Sequence, residues 1–126
     1  MGNRALIIAK SVWENADNED SVPAVYVHSY YKYDLRRWLA TCKERGYRSF
    51  SEDPTYALAR LCQVACEDFP QGNNIGLWSI HKADKPWDDL RLDYGFVIVD
   101  DFRITTRIPS FKDDVEDDED DETDSE

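Results

Sequence analysis

The 126 residues carry 27 acids against 15 bases, a formal net charge of -12, yet 41% are hydrophobic and 13% aromatic. That length buries one modest core, and the aromatic content excludes a wholly disordered polymer. Apolar runs such as Ala5 to Ala9 fall far short of the ~20 residues a membrane helix needs. No secretory h-region opens the chain, and three cysteines are an odd number, too few for a disulfide framework. The expectation is a cytoplasmic protein with reduced thiols and no membrane partner.

The elements follow in chain order. Ala5-Leu6-Ile7-Ile8-Ala9 reads as a strand buried on both faces, and residues 15–21 as a polar connecting loop. Pro23 to His28 is β-branched and aromatic, a second strand with its proline at the start, able to form a hairpin with the first. Asp34 is the predicted N-cap of a helix in which Leu35, Trp38, Leu39 and Cys42 share one face, closed by Gly46 after Arg45. Asp53 and Pro54 start a second helix with Leu58, Leu61, Cys62, Ala65 and Phe69 as its stripe, until Pro70 and Gly72 end it. Ile75 to Ile80 is a strand and 81–90 a polar loop. Tyr94 to Val99 and Phe102 to Arg107 then flank an Asp100-Asp101 turn. The order ββααβββ predicts an α+β domain over 1–110, with a mostly antiparallel sheet and two central helices packed on one face.

The charge is concentrated at the end. Asp113, Asp114, Glu116, Asp117, Asp118, Glu119, Asp120, Asp121, Glu122, Asp124 and Glu126 stand among residues whose one hydrophobic member is Val115. Without them and Lys112 the body has sixteen acids and fourteen bases, a net of -2. Self-repulsion with almost nothing to bury predicts a disordered tail over 111–126. It serves as a solubilising appendage or, through Asp113 to Glu122, as an acidic mimic of nucleic acid.

Chemistry-bearing patterns are few. The sequence contains no phosphate-binding glycine loop, no nucleophile elbow and no Cys-x-x-Cys pair. Cys62 and Cys66, with His28 or His81, are the candidate metal ligands, but cysteines on or beside an apolar stripe read as core packing. His28 with Cys42 is the candidate nucleophile pair, which nothing in the spacing favours. No cofactor, metal or catalytic residue is expected. The basic stretch is more pronounced: Lys32, Arg36, Arg37, Lys43, Arg45 and Arg48 outweigh Asp34 and Glu44 between Ser29 and Ser49. Tyr30, Tyr31 and Tyr33 are interleaved with them. Cations among exposed aromatics suit nucleic acid, and a tyrosine-rich loop suits a protein surface, while the plain alternative is the solvated face of a helix. Tyr30, Tyr31, Lys32, Tyr33, Arg36, Arg37, Lys43 and Arg48 are therefore the candidate binding residues.

Met1-Gly2-Asn3-Arg4-Ala5-Leu6-Ile7 is similar to the Met-Gly-Asn-Arg-Ala-Val-Ile opening of a family of small phage- and prophage-borne proteins of unknown activity. The likeness continues through Val25-Tyr26-Val27-His28, Lys43-Glu44-Arg45-Gly46-Tyr47-Arg48, Ala59-Arg60-Leu61-Cys62-Gln63-Val64 and the closing hairpin. Two features depart from it: Ser29-Tyr30-Tyr31-Lys32 replaces a Trp-Asn-Gly-Gly loop, and the acidic tail is an addition. The resemblance implies a phage-associated cytoplasmic protein and supplies no catalytic residues. The leading expectation is a non-enzymatic interaction protein that inhibits a host protein such as a defence nuclease. The alternative is a nucleic-acid-binding accessory protein using region 29–49, with the tail as internal competitor. A small enzyme using His28, a cysteine or Asp100 and Asp101 comes third.

Overall fold

The computed structural model describes residues 3–84 and 92–109; the acidic residues 113–126 and most of the predicted loop at 81–90 lie outside that range. Eight elements are described: β1 Ala5–Ala9, α1 Lys10–Asn15, β2 Ser21–Val27, α2 Lys32–Glu44, α3 Pro54–Glu67, β3 Ile75–His81, β4 Gly95–Asp100 and β5 Arg103–Pro109. The strands form one sheet in the order β3-β2-β1-β4-β5. Its pairings are antiparallel except for β1 with β4, which run parallel with Ala5 opposite Gly95. The domain is α+β, as the order of the elements predicted.

Composition explains which strands are central. All five residues of β1 are buried, as are the first five of β4, and a strand covered on both faces needs an unbroken apolar run. The alternation of side chains divides their contributions between two cores. Ala5, Ile7, Val25, Val27, Val97 and Val99 meet α2 and α3 through Leu35, Trp38, Leu39, Leu58, Leu61 and Ala65. Leu6, Ile8, Val22, Ala24, Phe96 and Ile98 form the second core, onto which Trp13 and Ala16 pack. Burying a side chain such as Leu39 or Leu61 stabilises by ~1.5–3 kcal/mol each, so the helix faces are fixed by these stripes.

Several local expectations are corrected. The one-and-a-half-turn helix α1 was not expected; it precedes the loop read over 15–21, shares only Asn15 with it, and has no side-chain cap hydrogen bond and no buried residue. Helix α2 begins at Lys32, so Asp34 lies inside its first turn, where a carboxylate favours the positive helix end. Pro23 sits within β2 rather than at its start, opposite Ser79. The closing turn is shifted by one residue: Asp100 ends β4, Asp101 takes φ +57°, and Phe102 completes the loop. The Asp53 cap is as expected, its carboxylate accepting from the Tyr56 amide, with Pro54 at the first helical position.

The α2–α3 pair is clasped from outside the core. Asp68 Oδ2 accepts from the indole of the buried Trp38 at 2.7 Å and from Arg37 Nη2 at 2.7 Å. Hydrogen bonding from Arg37, then from Trp38, holds the Asp68 carboxyl below its ordinary value. Arg45 pairs with Glu67 through two bonds of 2.9 and 2.7 Å.

Candidate functional site

The basic stretch does not form a free cationic surface. Arg37 is held by Asp34 and Asp68, and Arg48 by Asp53. Arg48 also lies over the Tyr56 ring at 4.9 Å, and Arg60 packs over Tyr56 and Tyr47 at 5.1 and 5.7 Å. Tyr30, expected at the surface, is 2% exposed and packs its ring 4.7 Å from Tyr94. Tyr31 and Tyr33 are open to solvent at 57% and 74%, Lys32 is half-buried, and Arg36 and Lys43 are exposed. The structure thus scatters the eight candidates: one lies in the core, two arginines are engaged by carboxylates, and two tyrosines stand free at the head of α2.

The thiols also separate. Cys42 is buried, Cys62 half-buried, and Cys66 exposed rather than packed in the core. Burial pushes the Cys42 and Cys62 thiols up to about 11, with neighbouring Cys66 adding to the effect on Cys62. Such thiols are poor nucleophiles at neutral pH. Among the described residues no three His, Cys, Asp or Glu side chains converge as metal ligands.

A different surface, not singled out by motif, stands at one rim of the sheet. β3 is an outer strand, Ile75-Gly76-Leu77-Trp78-Ser79-Ile80-His81, without Asp, Glu, Lys, Arg or Pro. Its pairing with β2 is regular over seven residues, from Ser21↔His81 to Val27↔Ile75. The Lys82 amide bonds Asp20 O and the His28 amide bonds Asn74 O, so even-numbered residues turn their backbone groups toward β2. Leu77 and Ser79 therefore turn theirs outward. The same alternation explains Pro23: opposite Ser79 it stands in a non-hydrogen-bonded pair, where β3 asks for no amide.

Two large apolar side chains on this strand are exposed. Leu77 is 69% exposed on the helix-bearing face, and Trp78 is 36% exposed on the other. Tyr26 stacks on Trp78 with ring centroids 4.7 Å apart and planes 2° from parallel. Gly76 lies opposite Tyr26, where an added Cβ would meet Tyr26 Cδ2 at 3.9 Å, an ordinary contact distance. His28 Nδ1 lies 3.1 Å from Tyr26 Oη, and this exposed imidazole is tilted 54° from the Tyr26 ring beside the stack.

The C-terminal end of β3 has a different character. Asp84 Oδ2 accepts from the His81 amide at 3.0 Å, which occupies the last outward donor of the strand. Lys82 turns inward: Nζ donates to Trp13 O at 2.7 Å and lies 4.9 Å from the Trp13 ring centroid. Around this end stand the exposed Asp17, Glu19 and Asp20, with no ion pair to any of them or to Asp84 among the described residues. The site therefore joins an apolar open strand to an acidic end that forms no ion pair among the described residues.

Comparison of the chain with protein-family models, with curated proteins and with solved structures gives no match in any of the three. No helix among the described residues is long and apolar enough to cross a membrane.

Proposed function

We propose that the protein is an interaction module that takes up a partner polypeptide along the outer edge of β3. One observation carries this reading: a regular, uncharged outer strand with Leu77 and Trp78 exposed on opposite faces. Sheet edges of this kind are templates for strand addition, in which backbone bonds supply affinity and alternate side chains supply selectivity. Tyr26 and Trp78 form a rigid aromatic anchor of the sort enriched at interfaces. With the phage-protein resemblance added, the partner is a host protein whose activity is inhibited when a strand of it is captured. The nucleic-acid reading draws less support, because the carboxylates of Asp34, Asp53 and Asp68 engage Arg37 and Arg48.

A photo-crosslinking residue placed at Ser79 or at Thr106 of β5, in bacterial host lysate, tests the reading. The expected result is a discrete adduct from position 79, absent from position 106, and lost on Leu77→Lys. Equal adducts from both edges, or an adduct indifferent to Leu77→Lys, would overturn it.

A further inference from the structure

The chemistry along β3 also specifies what kind of strand it receives. We propose that the occupant is an extended segment with alternating apolar side chains and a lysine- or arginine-rich end, the basic end lying against Asp17, Glu19, Asp20 and Asp84. This rests on the reading of β3 as an interaction edge and adds the partner's chemistry to it.

Charge complementarity is the argument. The middle of the strand offers Leu77 and Trp78 and no charge. Beside its C-terminal end stand Asp84 and the 17–20 segment that leads into β2, and the Lys82 ammonium there is bound to the Trp13 and Ala16 carbonyls. Its N-terminal end, Gln71-Gly72-Asn73-Asn74, is uncharged. An added strand thus meets neutral surroundings at one end and negative charge at the other. Cations at the matching end gain attraction without displacing an ion pair formed among the described residues.

A second copy of this chain fits poorly. In a two-fold antiparallel pair centred on Trp78, the acidic end of each β3 faces the other's Gln71–Asn74 end, which holds no cation. Each copy also brings a net charge of -12. Backbone geometry limits the contact as well: the carboxylate of Asp84 on the His81 amide leaves Leu77 and Ser79 as the central outward groups. Some four or five residues of partner backbone are enough to pair with them.

Synthetic peptides sharing a Val-Thr-Val-Thr-Val core test the inference, ending in paired lysines at the N-terminus, paired lysines at the C-terminus, or serines at both. Binding to the full chain is followed by fluorescence anisotropy, and amide exchange locates it. One lysine peptide is expected to bind about tenfold more tightly than the serine peptide at low salt, with the advantage gone near 0.5 M salt. Which lysine peptide wins reads strand direction, and the Leu77 and Ser79 amides are expected to slow their exchange.

The double substitution Asp17→Asn with Glu19→Gln removes two carboxylates that make no side-chain bond among the described residues. It is expected to erase the lysine advantage and leave serine-peptide binding unchanged. Equal binding of all three peptides, sensitive to Leu77→Lys, would overturn this inference while leaving the edge reading intact. So would Leu77-dependent self-association in place of peptide binding. Absence of any Leu77-dependent binding would overturn both.

Discussion

The two outer strands of the sheet face the same problem and meet it differently. β5 carries Arg103 and Arg107, ends in Pro109, and contains a bulge: Ile98 opposes Thr106 and Val99 opposes Ile104, which leaves Thr105 as the extra residue. Thr105 Oγ1 donates to Ile98 O at 3.0 Å and steadies the irregularity. Charges, a bulge and a terminal proline are each known to discourage edge-to-edge pairing. β3 has none of them over its seven residues, and adds an exposed Leu77. A fold that guards one edge three times over and leaves the other bare shows that bareness is not forced by the architecture. This asymmetry, more than the exposure of any one residue, supports a working role for β3.

The largest expected effect contrasts one glycine from each half of the sheet. Gly95 opens β4 at φ +110°, and a Cβ there would lie 2.1 Å from Ile108 O and 3.0 Å from two Pro109 backbone atoms. Gly95→Ala is expected to cost on the order of 3 kcal/mol or more, from backbone strain and the displacement of β5. Gly76→Ala on β3 meets only the Tyr26 ring at ordinary contact distance, and is expected to change stability by less than ~1 kcal/mol. Denaturant midpoints of the two variants decide this. Similar losses at both sites would mean that β3 is as tightly constrained as β4 and β5.

A smaller effect on stability, but a decisive one on association, is expected from exchanging edge character. Leu77→Lys gives β3 the charge that β5 already carries. Because Leu77 is mostly exposed, folding stability should stay within ~0.5 kcal/mol while binding of extended peptides falls at least ~tenfold. The converse change, Arg103→Val, removes one charge from β5 and leaves the bulge at Thr105 and Pro109 in place. It is expected to create no new association by sedimentation. Oligomers of Arg103→Val would show that charge, not the bulge, guards that edge.

How much of this was legible in the sequence depends on the range of the interactions. Local signals were readable. The Asp53-Pro54 start of α3, the Leu35-Trp38-Leu39-Cys42 stripe of α2, and Gly46 at φ +80° all act within a few residues. So was the buried run of β1, because a centre strand must be apolar throughout, whereas β4 was readable as a hairpin strand and not as a central one. Helix α1 was not, since Val12 and Trp13 are its only apolar members and set no period. The parallel pairing of β1 with β4 joins residues about ninety positions apart. The same distance in sequence hid the fate of the arginines: Arg37 meets Asp68 across thirty-one residues, and Arg45 meets Glu67 across twenty-two. A cluster that is basic when counted along the chain has three of its six cations, Arg37, Arg45 and Arg48, held by carboxylates once α3 folds against α2. The strand at 75–80 was readable, but its place at the rim was not, because strand order is a long-range property. Its lack of any Asp, Glu, Lys, Arg or Pro is the signal that marks it as an unguarded edge once that place is known.

The last and smallest effect concerns how the guarded half is tied to the centre. Arg4, just before β1, holds Asp93, just before β4, through Nε–Oδ2 and Nη2–Oδ1 contacts of 2.8 and 3.1 Å. The Tyr94 amide adds a bond to Arg4 O. Hydrogen bonding from Arg4 holds the Asp93 carboxyl below its ordinary value. A carboxyl lowered in the folded state contributes its stability in full above the unfolded pKa, and loses it as pH falls through the folded one. The pair is solvent-exposed, so the contribution is small and weakens further in salt. Asp93→Asn is therefore expected to lower Tm slightly at neutral pH, and its Tm should converge with that of the parent by about pH 2. Amide exchange should show where the loss falls. Amides of β4 and β5 should lose protection before those of β2 and β3 as pH falls below the ordinary aspartate value of 3.8, because no ion pair among the described residues joins β3 to β2. Asp93→Asn should remove that difference. If both halves of the sheet lose protection together in the parent and in the variant, Arg4–Asp93 is only a surface contact, and the firmness of the β4–β5 half rests on Gly95 and the bulge alone.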